Sequence, residues 1–226
     1  MNDPFLIRRR WLRALAVGAL GGTSVSAWMS RALASGDKPL APAIHRLEGT
    51  AKVNGRDAAV GTPIALGDRV STGARSQAVI VLGGDAFLLR SDTLLEVKGS
   101  QGVLAELTIA TGKVLSVFAR KPVTIKAASA SIGIRGTGAY IEMDPDSVYF
   151  CLCYGEAQVT GPGGAVRDVK TTHHEQPLLL RSDGSAMRID PGKFRDHKDA
   201  ELVMLESLVG REPPFLKDGA YPANKY

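Results

Sequence analysis

A chain of 226 residues with a formal charge of +5 and 6 % aromatic residues is long enough for one domain plus a tail. Arg8, Arg9, Arg10, Arg13 and Arg31 against Asp3 place +4 of that charge in the first 34 residues, leaving +1 on the other 192. So even a balance argues against nucleic acid or an anionic membrane as the main partner, scarce aromatics give no support to a polysaccharide-contacting surface, and two Cys are too few for a disulfide scaffold.

In chain order, the basic stretch Arg8 to Arg13 leads into an apolar run from Ala14 to Gly22 that Gly18, Gly21 and Gly22 interrupt. A membrane-spanning helix needs ~20 mostly apolar residues, so a stable anchor is not expected. Ala32-Leu33-Ala34 before Ser35 has the small-residue pattern of a cleavage site. Residues 1–34 are therefore expected to be an export signal, removed to leave a periplasmic protein beginning near Ser35. Arg8-Arg9, one residue, then Trp11-Leu12-Arg13 resembles the twin-arginine signal, with Trp and Arg where Phe and Lys are preferred. The resemblance implies export of an already folded chain; an ordinary secretory signal is the plainer alternative.

Beyond residue 42 the chain consists of short runs rich in Val, Ile and Leu, punctuated by its 25 Gly and 12 Pro and by Asp and Ser. Strands are expected at Ile44–Val53, Ala78–Leu82, Phe87–Leu89, Leu94–Val97, Leu104–Ile109, Val114–Ala119 and Val123–Ala127, with Asn54-Gly55 as a tight turn. Phe87–Asp92 and Leu178–Asp183 each read as three apolar residues followed by Arg-Ser-Asp, a short internal echo that suits stacked hairpins. The expected fold is all-β, a β-sandwich or short β-roll over residues 42–190, followed by a C-terminal segment, 191–226. In that segment Asp199–Val209 sets Leu202, Leu205 and Leu208 or Val209 on one face, predicting an amphipathic helix capped by Asp196 or Asp199 and ended at Gly210. Residues 213–226 read as an extended tail.

Leu66-Gly67-Asp68, Val70, Thr72-Gly73, Ser76 and Ala78 resemble the opening of the FecR domain, a bacterial periplasmic β-module. Gly83-Gly84-Asp85 stands at its turn, Leu107 and Gly112-Lys113-Val114 resemble its middle strands, and Ile134-Arg135-Gly136-Thr137 carries its Arg-Gly-Thr hallmark. Tyr154-Gly155-Glu156-Ala157-Gln158-Val159 is similar to its closing strand, so the resemblance covers about residues 60–160. It implies a ligand- or partner-binding domain, with Arg135, Gly136 and Thr137 as a turn motif. FecR itself has a cytoplasmic anti-sigma segment and one transmembrane helix before this domain, whereas only a short signal is expected here. The resemblance therefore implies an envelope protein or a small ligand as the partner, and no regulator built in one piece across the membrane.

The chemistry-bearing residues lie near one expected hairpin. Gly161-Pro162-Gly163-Gly164 is a turn, and folding about its centre pairs residues whose numbers sum to 325. Cys153 then faces Thr172 and Cys151 faces His174, with a one-residue slip allowed for a bulge. Opposed Cβ atoms ~4.5–5.5 Å apart let thiolate and imidazole share an ion, so Cys151, Cys153, His173 and His174 form a candidate zinc or copper site. His197, just before the expected helix, adds a ligand if that helix docks by the hairpin. The plainer reading is two structural thiols in a strand buried on both faces; a redox pair is a further alternative. Alternate strand residues lie ~6.6–6.8 Å apart, too far for an unstrained disulfide.

No catalytic constellation accompanies these residues. A Gly-x-Ser-x-Gly elbow and a His-Glu-x-x-His pair are both missing from the sequence, Gly133–Gly138 reads as a β-turn, and Asp144-Pro145-Asp146 as a turn without a sheltered acid. The chain is expected to be an exported, non-catalytic FecR-like binding, sensory or accessory module of the envelope, the alternative being a metal-binding or thiol-redox protein.

Overall fold

A computed structural model of the chain describes residues 38–216; the expected export signal, with Arg8, Arg9, Trp11, Leu12, Arg13, Ala32 and Ala34, lies outside the described residues. The strands are β1 (Ala43–Glu48), β2 (Ala51–Val53), β3 (Arg56–Ala58), β4 (Arg69–Thr72), β5 (Gln77–Leu82), β6 (Asp85–Leu89), β7 (Leu94–Ser100) and β8 (Val103–Thr111). They continue as β9 (Lys113–Val117), β10 (Pro122–Ala127), β11 (Ala130–Arg135), β12 (Gly138–Met143), β13 (Val148–Thr160), β14 (Val166–Thr171), β15 (Leu178–Ser182) and β16 (Met187–Pro191). One α-helix among the described residues, α1 (Asp199–Leu208), follows. The fold is all-β with one C-terminal helix, as the spacing of apolar runs predicts.

The sixteen strands form one curled sheet in the order β1-β5-β6-β9-β12-β13-β11-β10-β8-β7-β4-β2-β3, with β14 and β15 also on β13 and β16 on β15. Among the described pairings β8 with β10 is parallel and the others are antiparallel. The thirteen-residue β13 is the spine: Val148–Tyr154 runs beside β12 and β15, and from Gly155 onward the strand runs beside β11 and β14. Gly155 (φ +99) makes that change of partners possible, since a Cβ there would lie 2.7 Å from Thr137 Cγ2 in a conformation L residues avoid.

The expected single strand Ile44–Val53 is two, because Gly49 (φ +76) turns the chain from β1, paired with β5, to β2, paired with β4. A Cβ at Gly49 would stand 2.3 Å from Ser76 Oγ, so the break depends on glycine. Val114–Ala119 is displaced slightly, to Lys113–Val117.

Strand composition follows the cover each strand receives. β10 and β11 alternate buried and exposed residues, the mark of a sheet with one wet face. β5, β6, β9, β12 and the first half of β13 are nearly continuous apolar runs, because both their faces are covered. Their inner face joins a cluster including Ile80, Phe87, Leu89, Ile141, Phe150 and Leu152, which meets Leu95, Leu107, Ile125 and Ile132 from the far half. Their outer face carries a second cluster, Val79, Val81, Leu88, Leu115, Val117, Tyr140, Tyr149, Cys151 and Cys153, closed by Leu202, Leu205, Leu208, Val209 and Phe215.

Helix α1 ends at Gly210 (φ +71), as expected, but its start differs. Lys198 is the capping residue, with its N–H donated to Glu201 Oε2 at 2.9 Å. Asp199 turns inward instead and is buried. At the other end, Leu40 N–H donates to Leu208 O at 2.9 Å. No helix among the described residues is long and apolar enough to cross a membrane.

Candidate metal centre

Strand alternation places the two thiols. Phe150 and Leu152 point into the inner cluster, so Tyr149, Cys151 and Cys153 point together toward the helix-covered face. Both cysteines are free and buried.

The hairpin after them turns at Pro162–Gly164, within the expected segment, but in a register of sum 326: Gly155 faces Thr171 and Glu156 faces Lys170. The ladder stops at Thr171, whose Oγ1 donates to Leu152 O, and a bend tied by Thr172 N–H to Glu175 Oε2 follows. His174 takes a left-handed backbone (φ +56) and donates its N–H to Cys153 O. The imidazole thus folds back two residues, with Nδ1 3.5 Å from Cys151 Sγ.

His173, the other expected imidazole, points away from the thiols, its Nε2 2.9 Å from Asp199 Oδ1 and its ring 4.5 Å from that of Phe215. The fourth corner is filled by His197, whose Nε2 lies 3.5 Å from Cys153 Sγ and 3.1 Å from His174 Nδ1. One ligand atom each from Cys151, Cys153, His174 and His197 lies within 4.8 Å of every other, and all four residues are buried. Zinc bonds of ~2.3 Å to sulfur and ~2.0–2.1 Å to nitrogen put tetrahedral neighbours about 3.5–3.6 Å apart for S to N and about 3.3–3.4 Å for N to N. Three edges, Cys151 to His174, Cys153 to His197 and His174 to His197, match these values within a few tenths of an ångström.

The outer hydrogen bonds decide what the facing nitrogens present. His197 Nδ1 is 2.8 Å from Arg195 O, a carbonyl that can only accept, so Nδ1 carries the proton and Nε2 its lone pair. His174 Nε2 is 2.9 Å from Asp199 Oδ1. Burial raises the Asp199 pKa, but hydrogen bonds from His174 and His173 outweigh it, so the carboxyl stays below its usual range and accepts. In their neutral forms both rings therefore aim lone pairs at one another across 3.1 Å, with two sulfurs beside them. Two sulfurs and two imidazole nitrogens gathered in this way are the donor set of a tetrahedral metal site.

The two thiols are unequal. The Cys153 S–H beside it holds Cys151 down at about 4, helped by His174 and His197 against the opposing effect of burial. Burial first, then the neighbouring Cys151, pushes Cys153 well up. For His174, burial lowers the pKa, yet Asp199 and Cys151 more than offset it and the net shift is upward. A proton can satisfy one nitrogen–sulfur pair; a divalent ion satisfies all four corners.

Aromatic rings wall the cluster. Tyr140 stacks on His197 at 4.6 Å, and Phe194 lies 4.6 Å from His197 and 4.8 Å from His174. On one side His197 borders an open cleft of about 800 Å³ whose charged lining is mixed, with Arg90, Lys113 and Lys198 beside Asp196 and Glu201.

Of the expected metal residues, the structure brings Cys151, Cys153 and His174 together and sets His173 outside, hydrogen-bonded to the outer carboxylate. Asp199 was expected only as a cap; the sequence offers no local sign of its inward role, since that role depends on docking of the helix. Arg135 ends β11 and is exposed beside a shallow groove of about 590 Å³ that also involves Glu156, Asp168 and Lys170. Gly136 (φ +63) turns the chain, and Thr137 is buried, its carbonyl accepting the Phe118 N–H. That motif builds the turn against which Gly155 packs.

No family model matches the chain. No curated protein matches it. Among solved structures, two crystal structures of a candidate anti-sigma factor from Parabacteroides distasonis are similar, each with a TM-score of 0.46, at 9 % and 10 % identity. The match covers 54 % of this chain and 59 % of that one, so this chain spans well under two thirds of its neighbour's length.

Proposed function

We propose that this chain is an exported, non-catalytic binding module whose FecR-like β-domain, about residues 42–190, holds one zinc ion together with the C-terminal segment 191–226. Cys151, Cys153, His174 and His197 are the ligands. One observation carries this reading: the two ring nitrogens face each other at 3.1 Å, with a cysteine sulfur 3.5 Å from each. Zinc is favoured over copper(I) by charge, because a 2+ ion with two thiolates and two neutral imidazoles sums to zero, whereas a 1+ ion leaves a net charge to be buried. All four positions are filled by protein and the cluster is buried, which suits a structural or sensing ion and leaves no place for a reacting water.

Metal analysis of protein purified without added metal tests the site. One zinc per chain is expected, and exchange with Co²⁺ should give the visible absorption of a tetrahedral two-sulfur, two-nitrogen site. A chain with no stoichiometric metal that also fails to take up zinc would overturn the reading. Export is supported by the Arg8-Arg9 motif and the Ala32-Leu33-Ala34 pattern; N-terminal sequencing of the periplasmic fraction should begin near Ser35, and retention of residues 1–34 would refute removal of a signal.

A further inference from the structure

The metal centre sits where the sheet meets the C-terminal segment. Cys151 and Cys153 belong to β13 and His174 to the bend after β14, while His197 and the outer residues Arg195 and Asp199 belong to the strap leading into α1. We propose that zinc works a flap: occupancy seats residues 194–205 on the outer sheet face, and release lets them lift about a hinge at 206–211. The proposal rests on the zinc reading above.

Three observations carry it. First, α1 has ten residues, too short to persist without packing, so whatever holds its first turn decides whether that turn forms. Second, the first turn is tied directly to the centre. Asp199 accepts from both His173 and His174, and His197 contacts the ion position itself. Third, the far end has its own clamp that involves no metal ligand. Tyr154 OH donates to Glu206, Arg211 Nε bonds Glu206 Oε2 at 2.6 Å, and Arg211 Nη1 donates to Gly84 O at 2.6 Å. One end of the strap is thus fixed by a polar clamp, and the other by the buried Leu202 and Leu205 together with an ion that solution chemistry can remove.

Charges also hold the strap from the sheet side. Arg90 meets Glu201 at 3.0 Å, Lys113 meets Asp196 at 2.9 Å, and Arg195 meets Asp144 at 2.6 Å. These pairs lie at the partly exposed rim and are individually weak. They guide reseating and are not strong enough to replace the ion. A lifted flap uncovers Leu88, Leu115, Val117 and Tyr140, all buried in the closed form, so metal state is converted into an apolar surface on β6, β9 and β12.

Amide hydrogen exchange on the full chain, loaded with zinc and then stripped with a high-affinity chelator, tests the flap while zinc content is measured in parallel. Exchange over 194–205 should speed at least tenfold on stripping, with β4, β7, β8 and β10 unchanged. If zinc binds and leaves but 194–205 keep their protection, the flap is overturned and the zinc reading stands. If every strand loses protection, the ion is a condition of the whole fold and the flap is again overturned. If no zinc binds at all, both readings fall. A second arm uses reciprocity: Leu205→Asp, which unseats the helix without touching a ligand, should weaken zinc affinity by at least tenfold, because coupling acts equally in both directions. Unchanged affinity would overturn the coupling.

Discussion

The two faces of β13 differ in what they ask of the rest of the molecule. On the inner face Phe150 and Leu152 meet aliphatic residues from both halves of the sheet, and any well-fitted set of apolar side chains would serve. On the outer face Cys151 and Cys153 stand among tyrosines and histidines, and their partners are fixed one by one through ring nitrogens, a carboxylate and a carbonyl. The inner face therefore supplies stability spread over many contacts. The outer face concentrates its energy in a few groups, each hard to replace.

Substitutions can break that contrast, beginning with the largest effect. Cys153→Ser should reduce zinc from one per chain to below about 0.1, read by metal analysis, while circular dichroism still reports a β fold. Phe150→Ala, next to Cys151 in the chain but on the opposite face, should cost about 3–5 kcal/mol in urea unfolding and leave zinc per folded chain unchanged. If it instead removed the metal at native-like fold, the two faces would not be separable. Asp199→Asn should keep the ligands but weaken zinc about 10–100-fold by competition titration, since the carboxylate that orients His174 is lost. His173→Ala sharpens the assignment most gently. Zinc stoichiometry should stay at one, because its ring serves Asp199 and not the ion; loss of the metal would restore His173 as a ligand.

The same contrast explains how much could be read from the chain. The strands are legible because their signals are local: Ala78–Leu82 and Phe87–Leu89 fall inside β5 and β6, and Gly83-Gly84 turns between them. Cys151 and Cys153 are legible as a pair on one face for the same reason. The expected pairing of Cys151 with His174 is present but not through the expected ladder, which ends at Thr171 before a left-handed residue folds the ring back. His197 becomes a candidate only on condition that the helix docks nearby, and Asp199 reads as a cap because helix starts usually spend an aspartate that way. What is missing from the sequence reading is tertiary: which surface residues 192–216 come to rest on.

The spine role of β13 has a consequence for how this polypeptide comes into being. A nascent chain that has reached residue 147 has neither half finished, because β11 and β12 both await the same thirteen-residue strand. Until Thr160 emerges, two ribbons present bare edges, the feature through which partly made β proteins stick to one another. Closure of this molecule is thus a single late event, and a truncation anywhere ahead of β13 should yield aggregate instead of a smaller domain.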